Sequence, residues 1–253
     1  MNKEISAFEM SKTTETKEQL MVIELLRYWT LIRNELMTYP EIGVILNKKR
    51  SSISRYVQGK ILPSRLVVET AIEYAIKNDV LLELVKSYIN VQEYEGVKIV
   101  DGTKLLSNTT ILQLISFLIR KKFYNFGQFD KIITPEVDGL PIGYALAFEF
   151  GIPCLYVRKQ RPVAVQAFHS VPLQLTSSRE EALYVPAKGI RKNENILLVD
   201  DIIRSGRTQS AIIDLVKKAG ANVEGMTSLI SIGDHYKSIL SEHLDLLNII
   251  HKI

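Results

Sequence analysis

From Val97 to the end of the chain, short apolar runs alternate with segments of helical periodicity. Residues 131–137, 154–159, 195–201, 222–232 and 247–253 read as strands, and 97–100 as an earlier strand closed by the turn Asp101-Gly102. Residues 110–121, 140–150, 208–219 and 234–240 read as helices between them. This alternation predicts a parallel sheet with helices on its faces, an α/β class. Upstream the period changes. Leu20, Ile23, Trp29, Ile32 and Leu36 recur at helical spacing, which predicts a helix over 19–36 with one buried face. Thr38, Pro40 and Glu41 then open a short helix through 46. Asn47 makes a turn, and a second short helix runs over 48–57 with Ile53 inward, until Gly59 and Pro63 stop it. Residues 66–90 add one or two helices with a break at Asn78-Asp79; they complete the helical domain or form a dimer contact. The pattern therefore predicts a disordered polar tail (1–18), an all-α domain (19–92) and an α/β domain (93–253), with polar 92–96 at the boundary.

The most informative break in the pattern is at Asp200. The apolar strand Ile196-Leu197-Leu198-Val199 stops at two carboxylates, Asp200 and Asp201, and Arg204-Ser205-Gly206-Arg207-Thr208 leads into a helix. Carboxylates at a strand end accept hydrogen bonds from sugar hydroxyls, while a glycine-containing loop and helix start offer N–H groups and a positive dipole end to a phosphate. In an open α/β sheet, ligands bind outside the carboxyl ends of the strands. A solvated acidic turn is the plainer reading. No Gly-Lys-Ser/Thr ending is present, so this is not a Walker loop.

Two further loops leave strand ends on the same side. Glu136-Val137-Asp138-Gly139 joins a strand to a helix, and Arg158-Lys159-Gln160-Arg161 sets three cations at a strand end, a charge suited to a diphosphate. The stretch 160–193 has few helix signals and reads as a functional lid or a flexible loop, with 180–186 returning as a hairpin strand.

The 196–208 segment closely resembles the phosphoribosyl pyrophosphate (PRPP) signature of type I phosphoribosyltransferases. The resemblance implies that fold, with Asp200 and Asp201 on the ribose hydroxyls and Arg204, Ser205, Gly206, Arg207 and Thr208 around the 5′-phosphate. Glu136, Asp138 and Gly139 resemble the family's pyrophosphate loop, and Val157-Arg158-Lys159 resembles a segment of orotate phosphoribosyltransferases. Mg²⁺ accompanying PRPP is implied by the resemblance, with no ligand set assigned to side chains. Beyond Lys159, orotate-type enzymes carry a second lysine and a His-Gly pair; here the chain reads Gln160-Arg161-Pro162-Val163-Ala164. That departure argues against transfer, and it leaves the catalytic residues unassigned.

Between Glu41 and Arg65 lie six cations against one carboxylate, a larger surplus than the +4 of the whole chain. Concentrated positive charge suits a polyanion. The segment 40–64, with Gly43, Asn47 where glycine is usual, and Ile53, resembles a lambda-repressor or Cro helix-turn-helix; an ordinary helical hairpin is the plainer reading. On the helix-turn-helix reading Ser51, Ser52, Ser54, Arg55 and Gln58 face base edges, and Lys48, Lys49, Arg50 and Lys60 face phosphates. Such a head beside a PRPP domain resembles archaeal orotate phosphoribosyltransferase-like regulators. The expectation is a regulator that binds double-stranded DNA and senses PRPP or a related nucleotide, dimeric by half-site geometry. The alternative is a working nucleobase phosphoribosyltransferase, of orotate or purine type, with an accessory helical domain.

Composition sets limits. The chain has 253 residues, 46% hydrophobic and 24% charged, as in ordinary globular domains. No apolar run spans a bilayer and no secretory leader is visible. One cysteine, Cys154, excludes an internal disulfide framework and fits a reducing cytoplasm, and the four histidines show no metal-ligand spacing.

Overall fold

A computed structural model of the chain describes residues 7–31, 37–124, 127–161, 166–176 and 179–253. It divides into two units, Met1–Val80 and Leu81–Ile253.

The first unit contains α1 (Ala7–Leu31), α2 (Tyr39–Leu46), α3 (Arg50–Val57) and α4 (Arg65–Lys77). The expected tail is corrected from Ala7 onward: residues 7–19 hold neither glycine nor proline, so nothing interrupts the helix even where it is polar. Residues 1–6 and the expected helix end at 32–36 lie outside the described residues. Leu25, Leu26 and Trp29 of α1, Ile42 of α2, Ile53 of α3 and Ala71 of α4 form the buried interior. Trp29 meets Tyr74 edge-on at 5.4 Å. The turn between α2 and α3 depends on Asn47, left-handed at φ 49, and on Gly43, whose carbonyl accepts from the Lys48 N–H at 2.8 Å. A Cβ on Gly43 would lie 2.5 Å from the Lys48 carbonyl oxygen, so a larger residue would push the turn apart.

The second unit opens with α5 (Val80–Tyr88), just past Asp79, where a left-handed residue (φ 49) ends the preceding helix. The division therefore falls at the predicted Asn78-Asp79 break and not at 92. The expected polar boundary is itself structured. β1 (Asn90–Tyr94) pairs antiparallel with β2 (Val97–Asp101) through a turn with Glu95 at φ 50 and Gly96 at φ 77, the two positive values that suit the twist of a two-residue hairpin. β2 thus stays out of the main sheet.

There follow α6 (Thr103–Leu106), α7 (Thr109–Phe123), β3 (Lys131–Pro135), α8 (Gly139–Phe150), β4 (Cys154–Val157), the hairpin β5 (Phe168–Thr176) with β6 (Arg179–Pro186), β7 (Asn195–Ile203), α9 (Arg207–Lys218), β8 (Asn222–Ser231), α10 (Tyr236–Ile239) and β9 (Leu247–Lys252). The sheet runs β4-β3-β7-β8-β9, every pair parallel. Ile196 and Leu198 of β7 pack with Ile212 and Leu215 of α9 and with Val171 and Leu183 of the hairpin. Leu197 and Val199 alternate to the opposite face, as a strand's period of two requires. α8 packs on β3 and β7, with α7 against it. The expected parallel sheet with helices on its faces is present, and β7 is its central strand.

Candidate functional site

The two carboxylates at the end of β7 are not equivalent. Asp200 is 5% exposed. Its Oδ1 accepts from the Asp201 N–H at 2.9 Å, and its Oδ2 accepts from the side-chain amide of Gln209, itself buried in the first turn of α9. Asp201 is half-buried and lines a cavity of 390 Å³ with Asp138 and Ile202 on one side and the 100–107 segment on the other. Burial pushes the Asp200 carboxyl well above the usual range, and the charge of Asp201 pushes it further. Burial also raises Asp201, with Asp138 adding to the effect. Asp200 is thus the anchored member of the pair and Asp201 the presented one.

The phosphate-type loop follows directly. Gly206 precedes α9 at φ 80, and a Cβ there would meet the Tyr236 Cα at 3.2 Å, so the tight path under α10 needs glycine. The Arg207 N–H points to Ser205 Oγ at 3.4 Å, and Thr208 is half-buried in the first turn. Arg204 turns away: its Nη1 donates to the Lys98 carbonyl at 3.2 Å and ties the loop to β2. Arg204, Ser205 and Arg207 also border a 420 Å³ cavity with His235 and Ile232.

The loop after β3 presses against the same carboxylate. A Cβ on Gly139 would stand 2.5 Å from Thr134 Oγ1 and 3.1 Å from Asp200 Oδ1. Asp138 is exposed beside it, and the Glu136–Val137 peptide bond is cis. Glu136 Oε1 accepts from the Lys159 N–H at 2.9 Å, which links this loop to the end of β4. Arg158 exchanges backbone hydrogen bonds with Tyr184, and its guanidinium lies 4.8 Å over the Tyr156 ring and donates to the Tyr156 hydroxyl. Lys159 Nζ lies 3.8 Å from Glu181. Glu136, Asp138, Gly139, Asp200, Asp201 and residues 204–208 therefore cluster at the carboxyl ends of β3 and β7. Arg158 and Lys159 stand just past the end of β4, the Arg158 guanidinium on Tyr156 of β4 and Lys159 Nζ beside Glu181 of β6. Pro162, Val163 and Ala164, the positions compared with the orotate pattern, lie outside the described residues.

Three contributors have no sequence signature. Gln209 is one residue past the loop, Thr134 is a buried strand residue whose hydroxyl has no hydrogen-bond partner, and the 100–107 segment walls the cavity from outside the main sheet. Only the helical phase of Gln209, facing back toward the strand end, could have been read in advance.

In the first unit, Ser51 and Arg55 of α3 and Gln58 just past its end are exposed, as are Lys49, Arg50 and Lys60; Lys48, Ser52 and Ser54 are half-buried. Gln58 donates to Ser54 Oγ at 3.2 Å.

The phosphoribosyl transferase domain family profile matches residues 101–249, more than half of the chain. The chain belongs to this family. Similar curated proteins include a hypoxanthine/guanine phosphoribosyltransferase of Methanocella paludicola, 38% identical over 113 residues (44% of this chain, 56% of that protein). A xanthine phosphoribosyltransferase of Lactobacillus acidophilus is 25% identical over 113 residues (44% and 59%). The chain thus spans less than two thirds of the length of these relatives. Among solved structures, adenine phosphoribosyltransferase of Thermoanaerobacter pseudethanolicus superposes with a TM-score of 0.57 at 23% identity, covering 68% of this chain and 99% of that one. The Giardia lamblia enzyme complexed with 9-deazaadenine gives 0.59 at 16% identity, covering 68% and 97%. At these identities the superpositions establish the fold.

These matches overturn the expectation of a ligand-sensing transcription regulator. The relatives are named as transferases, and for purine bases. The residues missed after Lys159 belonged to an orotate pattern, so their absence says nothing against transfer to another base.

Proposed function

We propose that the chain is a PRPP-dependent phosphoribosyltransferase that joins a purine base to ribose 5-phosphate and releases pyrophosphate. The observation that carries this is the placing of Asp201 and Asp138 on one 390 Å³ cavity beside the 204–208 loop. In this reading Asp201 accepts hydrogen bonds from the ribose hydroxyls, and Asp200 holds it in place from behind. Backbone N–H groups of residues 204–208 and the N-terminus of α9 take the 5′-phosphate, where helix dipole and donors act together. The 136–139 loop takes the diphosphate by its main chain. Arg158 and Lys159 approach it by leaving Tyr156 and Glu181, Lys159 from a half-exposed pair that costs little to break. The base lies against Ile202 and the 100–107 wall.

Mg²⁺ fits this donor set. Two carboxylates face one cavity and Asp201 is raised by burial and by its like-charged neighbour, so a hard divalent cation would relieve their repulsion. Among the described residues no cluster of three or more histidine, cysteine or acidic side chains would hold a metal ion, so phosphate oxygens would complete its shell. The ion would neutralise charge on the departing diphosphate.

The test is pyrophosphate release on mixing the protein with PRPP, Mg²⁺ and hypoxanthine, guanine, xanthine or adenine in turn. Steady turnover with one of them, lost in Asp201→Asn, supports the proposal; no turnover with any purine overturns it. For the helical unit the reading is limited to an accessory contact with double-stranded DNA through Lys48, Lys49, Arg50, Arg55 and Lys60, with no sensing role. Its support is the exposed polar face of α3, and salt-sensitive binding to a DNA duplex tests it. Among the described residues no helix is long and apolar enough to cross a membrane. With one cysteine, a reducing cytoplasm is the proposed setting.

A further inference from the structure

Three carboxylates line the 390 Å³ cavity, Asp101, Asp138 and Asp201, and among the described residues no cation lines it. Asp138 and Asp201 stand on the side that receives the ribose and Mg²⁺ in the proposed reaction. Asp101 stands on the opposite wall, against which the base lies. Its neighbours fix what that wall can offer. The Thr103 hydroxyl donates to the Asp101 carboxylate, and the Thr103 N–H donates to its Oδ1 at 2.9 Å. These two bonds hold the Asp101 carboxyl below the ordinary carboxylate range, so it is ionised at neutral pH. The Ser107 hydroxyl donates to the Thr103 carbonyl at 2.7 Å. Each hydroxyl has thus spent its proton within the wall, and the polar side chains there have only lone pairs left to offer. An ionised carboxylate has about four lone-pair sites. Thr103 takes two of them on Asp101 and leaves two.

We propose that Asp101 makes this site select guanine among the purine bases, an inference that rests on the transferase reading of the cavity. Of guanine, hypoxanthine, xanthine and adenine, guanine alone sets two donors side by side on the six-membered ring, N1–H and the 2-amino group. They match the two remaining sites on Asp101 as the paired N–H groups of a guanidinium match a carboxylate. Hypoxanthine has N1–H alone and leaves one site without a partner. Adenine carries a lone pair at N1 and xanthine a carbonyl oxygen at C2, so each brings an acceptor against an acceptor. Xanthine also loses a proton near neutrality, and its anion would meet three carboxylates. A site rejects a competitor through such repulsion as well as through a missing bond. Asp101 is open to solvent, which moderates the effect, so the preference for guanine over hypoxanthine should be roughly tenfold to a hundredfold, the worth of one bidentate pair.

Calorimetric titration of the full chain with the four purine nucleoside 5′-monophosphates tests this, because product binding reads the choice of base without turnover. GMP is expected to bind about tenfold or more tightly than IMP, and AMP and XMP more weakly than either. In Asp101→Asn one oxygen still accepts from Thr103 and an amide group replaces the other, so the wall gains donors. GMP should then lose at least tenfold in affinity while XMP gains, opposite changes that a merely supporting role for Asp101 would not produce. If Asp101→Asn fails to fold, Asp101→Ser, which keeps one oxygen for Thr103, is read in its place, and the preference for GMP over IMP should vanish. Binding of none of the four, equal affinity for all, a preference for XMP or AMP, or an equal loss for every nucleotide in Asp101→Asn overturns the proposal. The transferase reading fails separately, if the nucleotides bind in the expected order and no purine base is turned over.

Discussion

An added methyl group at Gly139 would probe the packing beneath the candidate site. It would stand 2.5 Å from Thr134 Oγ1 and 3.1 Å from Asp200 Oδ1, the first closer than real Cβ contacts come. Neither neighbour is the loose end of a long side chain. Thr134 is β-branched and fully buried, and Asp200 is held by Gln209 and by the Asp201 N–H. The 136–139 loop must back away, or Thr134 must leave its rotamer, and overpacking of this kind costs about 1–3 kcal/mol. Gly139→Ala should therefore lower the unfolding free energy by that amount in a urea titration, with the slope unchanged. PRPP affinity, read by calorimetry with Mg²⁺, should fall tenfold or more, because the displaced loop carries the proposed diphosphate contacts. Trimming the neighbour supplies the check: in a Thr134→Ala background the same methyl should cost about 1 kcal/mol less, a coupling typical of touching residues. If Gly139→Ala unfolds at the wild-type urea concentration, or the double variant shows no coupling, the close approach is not what shapes the loop.

Three other outcomes follow from the same geometry. Burial holds the Asp200 and Asp201 carboxyls above their ordinary range, so the folded protein keeps protons that the unfolded chain releases. Stability should fall as pH rises from the ordinary carboxylate range through the raised folded values. Asp200→Asn, whose amide Gln209 can turn over to meet, should flatten that fall in thermal melts between pH 4 and 8 while weakening PRPP binding; an unchanged pH profile would contradict the burial of this charge. Gly206→Ala puts a side chain at φ 80 against Tyr236 and should destabilise by about 1–3 kcal/mol and abolish phosphate-dependent stabilisation, both visible in melts with and without PRPP. Burial pushes the Cys154 thiol up to about 12, so iodoacetamide at pH 8 should modify it at least tenfold more slowly than a free thiol until denaturant is added.

The α/β unit was legible because its strands are buried and its turns carry their own chemistry. The apolar run of β7, its halt at Asp200 and the Gly206 turn together prescribe a strand-loop-helix, and the loop after β3 could be assigned by its glycine. What the pattern concealed has physical reasons. β1 and β2 are exposed on both faces, so Gln92, Glu93 and Lys98 show no alternation that would separate a hairpin from a linker. Ala7–Glu18 was read as a tail for its polarity, although nothing in its composition breaks a helix. The different duties of Asp200 and Asp201 depend on Gln209, which reaches back from the next helix, and adjacent carboxylates look alike in sequence. The regulator reading came from the helix-turn-helix resemblance and from an orotate template. A fold-level likeness carries no activity of its own.

β7 is bonded to β3 on one side and to β8 on the other, the latter from Asn195 to Ile203. The carboxylates thus stand on the strand least able to fray, and its amides should be among the last in the molecule to exchange with deuterium. Adaptation to a ligand must come from the surrounding loops, since the floor they close over gives way only when the whole sheet does. A preparation that stays folded yet idle has therefore lost its rim and kept its anvil.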